Sequence, residues 1–413
     1  MKKYIKKFFT HKEIKSGHNF IKQEVGFGVP IENFYISSKI ANKKADHYKK
    51  NVVVYRCVNI IAQAVSHVGL SVYKMTSGGY QKNLNHHANF LLKNPNNFQS
   101  GFDLFNEIMS QKLLFGNAYI LSVNPNLSSI PNELYSLHPE CVRVIIEKGL
   151  PVGYKYKNDK IEKNYYLDKH SNKSNILHIK NFNPENEIYG VSCIEPANLS
   201  IDLHNKSSEW NSTLLKNGAR PTGAIVMKNE DRFLTEEQFE RLKSQLNEKY
   251  YGAANAGKPL LLEGGMDWKE MSISPKDMDF IESKNTAARE IALAFGVPPQ
   301  LLGIKGDNTY SNMQEARIGL WEETIIPMLD ELTDSLTNWF RYLYGEDLKI
   351  GFDKDSISIF SKKQHDLWKS LSDTTFMTTD EKRSIAGLPN IDCDLAGRVN
   401  KENQTSKLQN DRN

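Results

Sequence analysis

The residues from Gly252 to Lys258 match the first seven positions of the phosphate-binding loop G-x-x-x-x-G-K-[ST], which holds nucleotide phosphates with backbone amides and a lysine. That loop then needs a hydroxyl to coordinate Mg²⁺, but Pro259 stands in this position. Pro259 also removes a backbone N–H from the phosphate cradle. A Gly- and Ala-rich turn after a helix is therefore the preferred interpretation, and a DNA- or nucleotide-processing enzyme is the alternative.

Two pairs of acidic residues raise the possibility of a metal-dependent nuclease: Asp277 with Asp279, and Glu322 with Glu323. Two-metal chemistry needs carboxylates that converge from several elements. Asp277 is already explained as a first-turn acid that complements a helix dipole, and the two glutamates flank Trp321 on a long predicted helix. The sequence thus predicts no metal site, no cofactor and no catalytic residues.

The adjacent histidines His86 and His87 could bind a metal, but no Cys, Asp or Glu lies nearby at ligand spacing. A loop or the start of a helix is the favoured interpretation. Four cysteines are widely spaced along the chain: Cys57, Cys141, Cys193 and Cys393. Because they form no C-x-x-C pair, we expect free thiols in a reducing compartment.

The acidic pairs belong to a helix–loop–helix pattern that runs from Ser274 to Tyr344. Ser274 caps a first helix over 275–295, and Gly296 with the prolines after it stops that helix. A polar loop leads to a second capping box at Ser311, and an apolar face then continues to Tyr344. Pro327 lies inside this second helix and should kink it.

Elsewhere the spacing of apolar residues predicts further helices over 52–68, 100–114, 194–217 and 235–250. Short strands separated by turn residues are expected between 134 and 180, mostly antiparallel, with others at 70–74, 118–123, 223–227, 260–262, 268–272 and 348–352. The fold class is therefore α+β.

Charge is unevenly distributed along the 413 residues, whose formal net charge is +4. Residues 1–50 hold twelve lysines against four acids, so this segment carries +8 and the remainder −4. We expect it to be a partly disordered, solvated tail, with contact to nucleic acid or an acidic partner as the alternative. No apolar run is long enough to span a bilayer and no signal peptide is recognised, so a soluble intracellular protein is expected.

Several blocks, in order along the chain, resemble the portal proteins of tailed bacteriophages and gene transfer agents. The most specific runs from Ala292 to Gly303, and it is followed by Tyr310–Trp321 with Ile326-Pro327. The earlier blocks are Tyr55–Ala62, Leu91–Asn96, Leu113–Tyr119 and Asn217–Gly223. The resemblance covers residues from about 50 to 345, with weaker likeness near 383–389.

The resemblance implies a portal-type fold with a β-rich wing, a two-helix stem, a small α/β clip, a tunnel loop and a long kinked spine helix. The implied division is a basic N-terminal segment (1–50), wing (51–230), first stem helix (231–251), clip (252–274), second stem helix (275–296), tunnel loop (297–310), spine helix (311–345), and a C-terminal wing strand or crown with a polar tail (346–413).

The resemblance also implies a function: a ring, usually of twelve subunits, at one capsid vertex of a virion assembled in the bacterial cytoplasm. Double-stranded DNA would pass through its channel, and the large terminase, a head–tail adaptor and the capsid or scaffold protein would dock on it. No membrane, cofactor or enzymatic activity is implied. A scaffold protein unrelated to DNA is a further alternative.

Specific residues receive roles from this resemblance. The DNA-facing tunnel loop would contain Lys305, Gly306, Asp307, Asn308, Thr309 and Tyr310. The channel wall would contain Asp277, Asp279 and Glu282, and the hinges would be Pro298, Pro299 and Pro327. These segments are polar and carry little net positive charge, which fits a channel that contacts DNA without gripping it.

Overall fold

The structure is a computed structural model that describes most of the chain between residues 43 and 386. The described residues are 24–25, 29–30, 43–76, 79–124, 130–158, 160–168, 170–171, 173–216, 223–227, 235–249, 266–270, 280–304, 310–354, 357–374 and 376–386.

Helices and short strands alternate along these residues. The helices are α1 (Lys43–Lys50), α2 (Val52–His67), α3 (His87–Lys93), α4 (Gly101–Phe115), α5 (Ile194–Lys216), α6 (Glu236–Lys249), α7 (Phe280–Ala294), α8 (Tyr310–Gly319), α9 (Ile326–Tyr344), α10 (Ser361–Asp373) and α11 (Thr379–Ile385). The strands are β1 (Glu24–Val25), β2 (Val29–Pro30), β3 (Leu70–Thr76), β4 (Gly79–Lys82), β5 (Asn117–Val123), β6 (Glu133–Leu137), β7 (Val142–Glu147), β8 (Leu150–Lys157), β9 (Glu162–Tyr166), β10 (Ile176–Lys180), β11 (Gly223–Met227), β12 (Met266–Glu270) and β13 (Leu348–Phe352).

All strand pairs among the described residues are antiparallel. Three sheets have three strands each, in the orders β10-β5-β6, β13-β3-β4 and β7-β8-β9, and β11 pairs with β12. The predicted β-rich region between 134 and 180 and the α+β class are therefore confirmed. The pairing of β13 with β3 joins the C-terminal part of the chain to the segment that follows α2.

The main core lies among the helices, and the predicted apolar stripe of α2 is at its centre. Val54, Val58 and Ile61 are completely buried there. Asn51 caps α2 by accepting hydrogen bonds from the amides of Val53 and Val54. Burying several such side chains stabilises the fold by about 1.5–3 kcal/mol each.

Strand β5 separates this core from a second, smaller one. Since successive side chains of a strand point to opposite faces, Ala118 and Ile120 pack in the main core, whereas Tyr119 and Leu121 pack in the second. The second core is shared with β6, β7, β8 and β10. Both faces of β5 are buried along its whole length.

His178 on β10 lies at the edge of the second core. Its ring stacks on Tyr119 with a centroid distance of 4.3 Å, and its Nε2 donates to Asn117 Oδ1 at 2.9 Å. Asn117 Oδ1 also accepts the amide of Gly190 at 2.9 Å. Burial, and secondarily the charge of Lys180, lowers the pKa of this imidazole to about 3.

The structure differs from the sequence-based expectation at several boundaries. Residues 43–50 form α1, although the N-terminal segment showed only weak helical periodicity. The strand expected at 268–272 is observed at Met266–Glu270, and the strand expected at 260–262 lies outside the described residues. None of the helices described is long and apolar enough to cross a membrane.

His178 predicts a specific loss of stability in acid. The unfolded chain takes up a proton on this imidazole below its ordinary pKa of 6.5, whereas the folded protein does so only near 3. Stability from this group is therefore present above pH 6.5 and falls by about 1.4 kcal/mol for each pH unit below it. In urea unfolding between pH 7 and 4, His178→Gln should flatten the pH dependence by that slope.

The exposed His67 on α2 supplies the control. His67→Gln should leave the slope of unfolding free energy against pH as it is in the unaltered protein. Equal slopes for His178→Gln and the unaltered protein would contradict the assignment.

Candidate functional site

The structure describes the margins of the predicted DNA-facing region. Asp277, Asp279 and the loop residues Lys305, Gly306, Asp307, Asn308 and Thr309 lie outside the described residues, as does the segment from Gly252 to Lys258. Glu282 is exposed near the start of α7, and Tyr310 is the first residue of α8. The site is therefore built from α7, the chain that leaves it, and the long helix that follows the loop.

The end of α7 is a Schellman motif. Gly296 has a positive φ of 68°, its amide donates to Leu293, and the amide of Val297 donates back to Ala292 at 2.9 Å. Val297 is 2% exposed and Ala292 fully buried, which supplies the apolar contact that accompanies this motif. The predicted stop of the helix at Gly296 is confirmed.

Two prolines stiffen the chain directly after this motif. Pro298 precedes a short 3₁₀ helix, Pro299–Leu302, and its carbonyl accepts the amide of Leu301 at 3.0 Å. Proline fixes its own φ and restricts the residue before it. The chain therefore leaves α7 along a direction with little freedom up to Gly303, where φ is again positive at 72°.

The predicted long helix is present from Tyr310 to Tyr344, but it is not α-helical throughout. Leu320–Ile325 forms a π segment between α8 and α9, in which the amide of Ile326 donates to the carbonyl of Trp321, five residues back. Pro327 follows in the first turn of α9. Because Pro327 has no N–H and its ring would clash with the carbonyl of Glu323, the ladder must widen here.

A single hydrogen bond joins the π segment to the end of α7. Thr324 is 8% exposed, and its hydroxyl donates to the carbonyl oxygen of Gly296 at 2.7 Å. A Cβ on residue 296 would lie 2.8 Å from that same hydroxyl oxygen. The contact therefore requires glycine at this position for space as well as for its backbone conformation.

Helix α7 packs along α5. Ala197 and Ile201 on α5, and Ala288 and Ile291 on α7, are buried at or near this contact. Ser200 Oγ donates to Glu290 Oε2 at 2.5 Å across the two helices. The assignment of 231–251 as the first stem helix and 275–296 as the second stays a prediction.

The middle of α5 is tied to the start of α2. Asn51 Nδ2 donates to Asn205 Oδ1 at 2.9 Å and lies 3.3 Å from His204 Nδ1. Burial, with the nearby charge of Lys284 on α7, lowers the pKa of His204. This polar cluster joins α5 to the start of α2.

Helix α9 contacts α4, β13 and the segment before β10. Trp339 Nε1 donates to the carbonyl of Ser174 at 2.9 Å, next to β10. Lys112 on α4 contacts Glu331 Oε2 at 2.6 Å, and the lysine side chain is only 5% exposed. Thr337 Oγ1 exchanges hydrogen bonds with the backbone of Ile350 on β13. The long helix is therefore rigidly connected to the body of the chain.

The two adjacent histidines serve the start of α3. His86 caps it by accepting the amide of Ala88, and His87 Nδ1 lies 2.9 Å from the hydroxyl of Tyr344. The interpretation of a helix start is confirmed. Within the described residues no group of three or more His, Cys, Asp or Glu side chains is placed to hold a metal ion.

The acidic pair at Glu322 and Glu323 is exposed on the π segment. Cys57, by contrast, is fully buried, and burial raises the pKa of its thiol to about 12. Cys57, Cys141 and Cys193 are free thiols, and Cys393 lies outside the described residues.

Two features of the site escaped sequence reasoning. The π segment lies directly before Pro327, and this proline within a helical pattern is the local signal that could have located it. The hydrogen bond between Thr324 and Gly296 joins residues that are 28 positions apart. No local sequence pattern predicts this hydrogen bond.

Comparison with known proteins places the chain in a family. Residues 52–387 match the family model described as phage portal protein. The portal protein of Enterobacteria phage HK97 is 26% identical over 301 residues, which cover 69% of this chain and 66% of that protein. An uncharacterized protein of Rickettsia bellii (strain RML369-C) is 51% identical over 391 residues, 95% of this chain and 98% of that one.

A solved structure shares both sequence and fold with this chain. It is described as the neck of a native gene transfer agent particle, computed with C12 symmetry. The matched chain is 36% identical, the TM-score is 0.65, and the match covers 85% of this chain and 95% of that one. The chain thus belongs to the phage portal protein family, whose members are structural proteins that form the channel for DNA packaging at the neck of phage and gene transfer agent particles.

Proposed function

We propose that this portal protein forms a closed ring of twelve subunits at one vertex of a phage or gene transfer agent particle. The observation that carries the number is the twelve-fold symmetry of the related gene transfer agent neck, which is 36% identical to this chain. A closed ring needs two different complementary surfaces on each subunit. A rigid subunit suits that requirement, because the long helix is joined by Trp339 to the segment before β10 and by Glu331 to Lys112 on α4.

Electron microscopy of the purified full-length protein tests this proposal. We expect rings with twelve-fold symmetry in two-dimensional class averages. Monomers alone under a range of salt and magnesium concentrations, with no ring of any subunit number, would be the contrary result.

We further propose that the two stem helices are α5 and α7, and that the clip is the segment between them. The direct packing of α5 on α7 and the hydrogen bond from Ser200 to Glu290 support this pairing. Strands β11 and β12 pair with each other, with Met227 opposite Met266, and α6 lies between them in the chain. This arrangement makes α6 part of a compact strand–helix–strand clip in place of a stem helix.

The strand pair offers a way to remove most of the clip. Because Met227 and Met266 face each other, residues 228–265 can be replaced by Asn-Gly, a dipeptide that closes two-residue hairpins. We expect the shortened protein to keep the α5–α7 stem and to form rings, whereas particles that contain it should package no DNA, since the terminase is expected to dock on the clip.

Circular dichroism measures the helicity of the shortened protein, electron microscopy its ring formation, and the amount of nuclease-protected DNA its packaging. A loss of helicity greater than the excised residues can explain would indicate that α6 belongs to the stem. The matched control is Lys258→Ala, which should package DNA normally, and a packaging defect in that variant would favour the nucleotide-binding alternative.

We propose that residues 305–310 form the loop that faces DNA, with Glu282 and the acids Asp277 and Asp279 on the channel wall. Support comes from the position of this loop between α7 and the long helix. A sliding channel should neutralise few phosphates, because each contact adds salt-dependent affinity. The assignment of Pro298, Pro299 and Pro327 as hinges stays a prediction; the first two lie at the start of the 3₁₀ helix after α7, and the third follows the π segment.

Reversing one charge in the loop should turn its weak contact with DNA into tight binding. Asp307→Lys should raise the affinity of assembled rings for double-stranded DNA and steepen the fall of log K with log salt by about 0.9 for each added phosphate contact. Fluorescence anisotropy with a labelled duplex measures both quantities. Asp334→Lys makes the same change of charge at an exposed position on α9 and is the control; equal slopes for the two variants would contradict the assignment.

The remaining partners follow from the same proposal. The large terminase, a head–tail adaptor and the major capsid or scaffold protein are expected to bind the ring, and synthesis is expected in the bacterial cytoplasm. No catalytic activity is proposed for the chain, because the family is structural and the exposed Glu322 and Glu323 lie side by side on one helix.

A further inference from the structure

Thr324 connects two segments that are distant in sequence and have different roles in the proposed channel. Its hydroxyl donates to the carbonyl oxygen of Gly296 at 2.7 Å, and the residue is 8% exposed. Gly296 is the left-handed residue of the motif that ends α7, and the chain continues from it toward residues 305–309. The carbonyl that accepts this bond is therefore at the point where the loop departs.

The π segment is what turns Thr324 inward. Leu320 and Ile325 are both buried although they are five positions apart, and Thr324 is buried beside Ile325. Glu322 and Glu323 are exposed on the other side. An extra residue in the turn delays the helical phase by about 100°, so the threonine lies on the face that contacts α7.

The hydroxyl of Thr324 is not engaged with its own helix. Threonine in a helix usually donates to a carbonyl three or four residues back, as Thr333 in α9 does with Asp330 at 3.0 Å. Thr324 bonds to a residue 28 positions away. Its contact is therefore tertiary, whereas the equally buried Thr333, at 5% exposure, makes a local one.

We propose that Thr324 is a positioning residue that fixes the direction in which the chain leaves α7 toward the loop at 305–309. This inference rests on the proposed function, in which that loop faces DNA. Between Gly296 and Gly303 the chain has little freedom, because Val297 is buried and two prolines follow. Fixing the carbonyl of Gly296 therefore fixes the approach to the loop over residues 297–303 and couples it to the π segment of the long helix.

The rate of trypsin cleavage reports how accessible the loop is, since Lys305 is the only Lys or Arg between Val297 and Tyr310 in the sequence. Thr324→Val removes the hydroxyl and keeps the shape, Thr324→Ser keeps the hydroxyl, and Thr333→Val is the matched control. In assembled rings we expect Thr324→Val to accelerate cleavage after Lys305 about tenfold, the effect of losing one buried hydrogen bond. Thr324→Ser and Thr333→Val should cleave at close to the normal rate.

A second variant distinguishes the loss of the Thr324–Gly296 contact from a general loss of stability. Gly296→Ala places a Cβ against the Thr324 hydroxyl, so it should also accelerate cleavage. If both residues act through one contact, the double variant should be less affected than the product of the two single effects. Independent effects, or equal acceleration by Thr324→Val and Thr333→Val, would overturn the proposal, as would an unchanged rate in Thr324→Val.

The cleavage ratios can be measured in unassembled subunits as well as in rings. Absence of rings from the unaltered protein contradicts the proposed function alone. Unchanged cleavage of Thr324→Val in well-formed rings contradicts this inference alone.

Discussion

A proline within a long helix is the constraint on which the centre of this protein depends. Pro327 cannot donate to the carbonyl of Glu323, and its ring excludes a regular turn there. The chain responds with the π segment at Leu320–Ile325, which widens the ladder without ending the helix. The apolar side chains on both sides of this segment consequently face the same core, including Leu320, Ile325 and Leu329.

The part of the helix after Pro327 contacts several other elements of the subunit. Trp339 reaches the segment before β10, Thr337 bonds the backbone of β13, and Glu331 pairs with Lys112 on α4. The last contact is asymmetric, because the lysine is almost fully buried while the glutamate is half-exposed. Removing the glutamate would leave a buried charge without its partner, which costs more than the pair itself contributes. Such contacts specify one arrangement of helix and sheets.

The same helix also contacts the proposed stem helices. Its π segment contacts the end of α7, and α7 packs on α5, whose middle is held to α2 by Asn51 and Asn205. A change in the π segment would therefore reach the end of α7 through direct contacts. If residues 305–310 face DNA as proposed, the loop needs no affinity for phosphate to be held near the channel, because its approach is fixed by contacts within the subunit.

Local sequence determined much of this architecture, because capping and periodicity act over a few residues. The stripe of α2, the stop at Gly296 and the strands between 134 and 180 were all predictable from such patterns. So was the family, since its blocks appear in order along the chain. Only the tertiary structure decided that α5 is the partner of α7 and that Thr324 bonds to Gly296. These contacts join segments tens of residues apart, and their formation depends on packing geometry that no local pattern encodes.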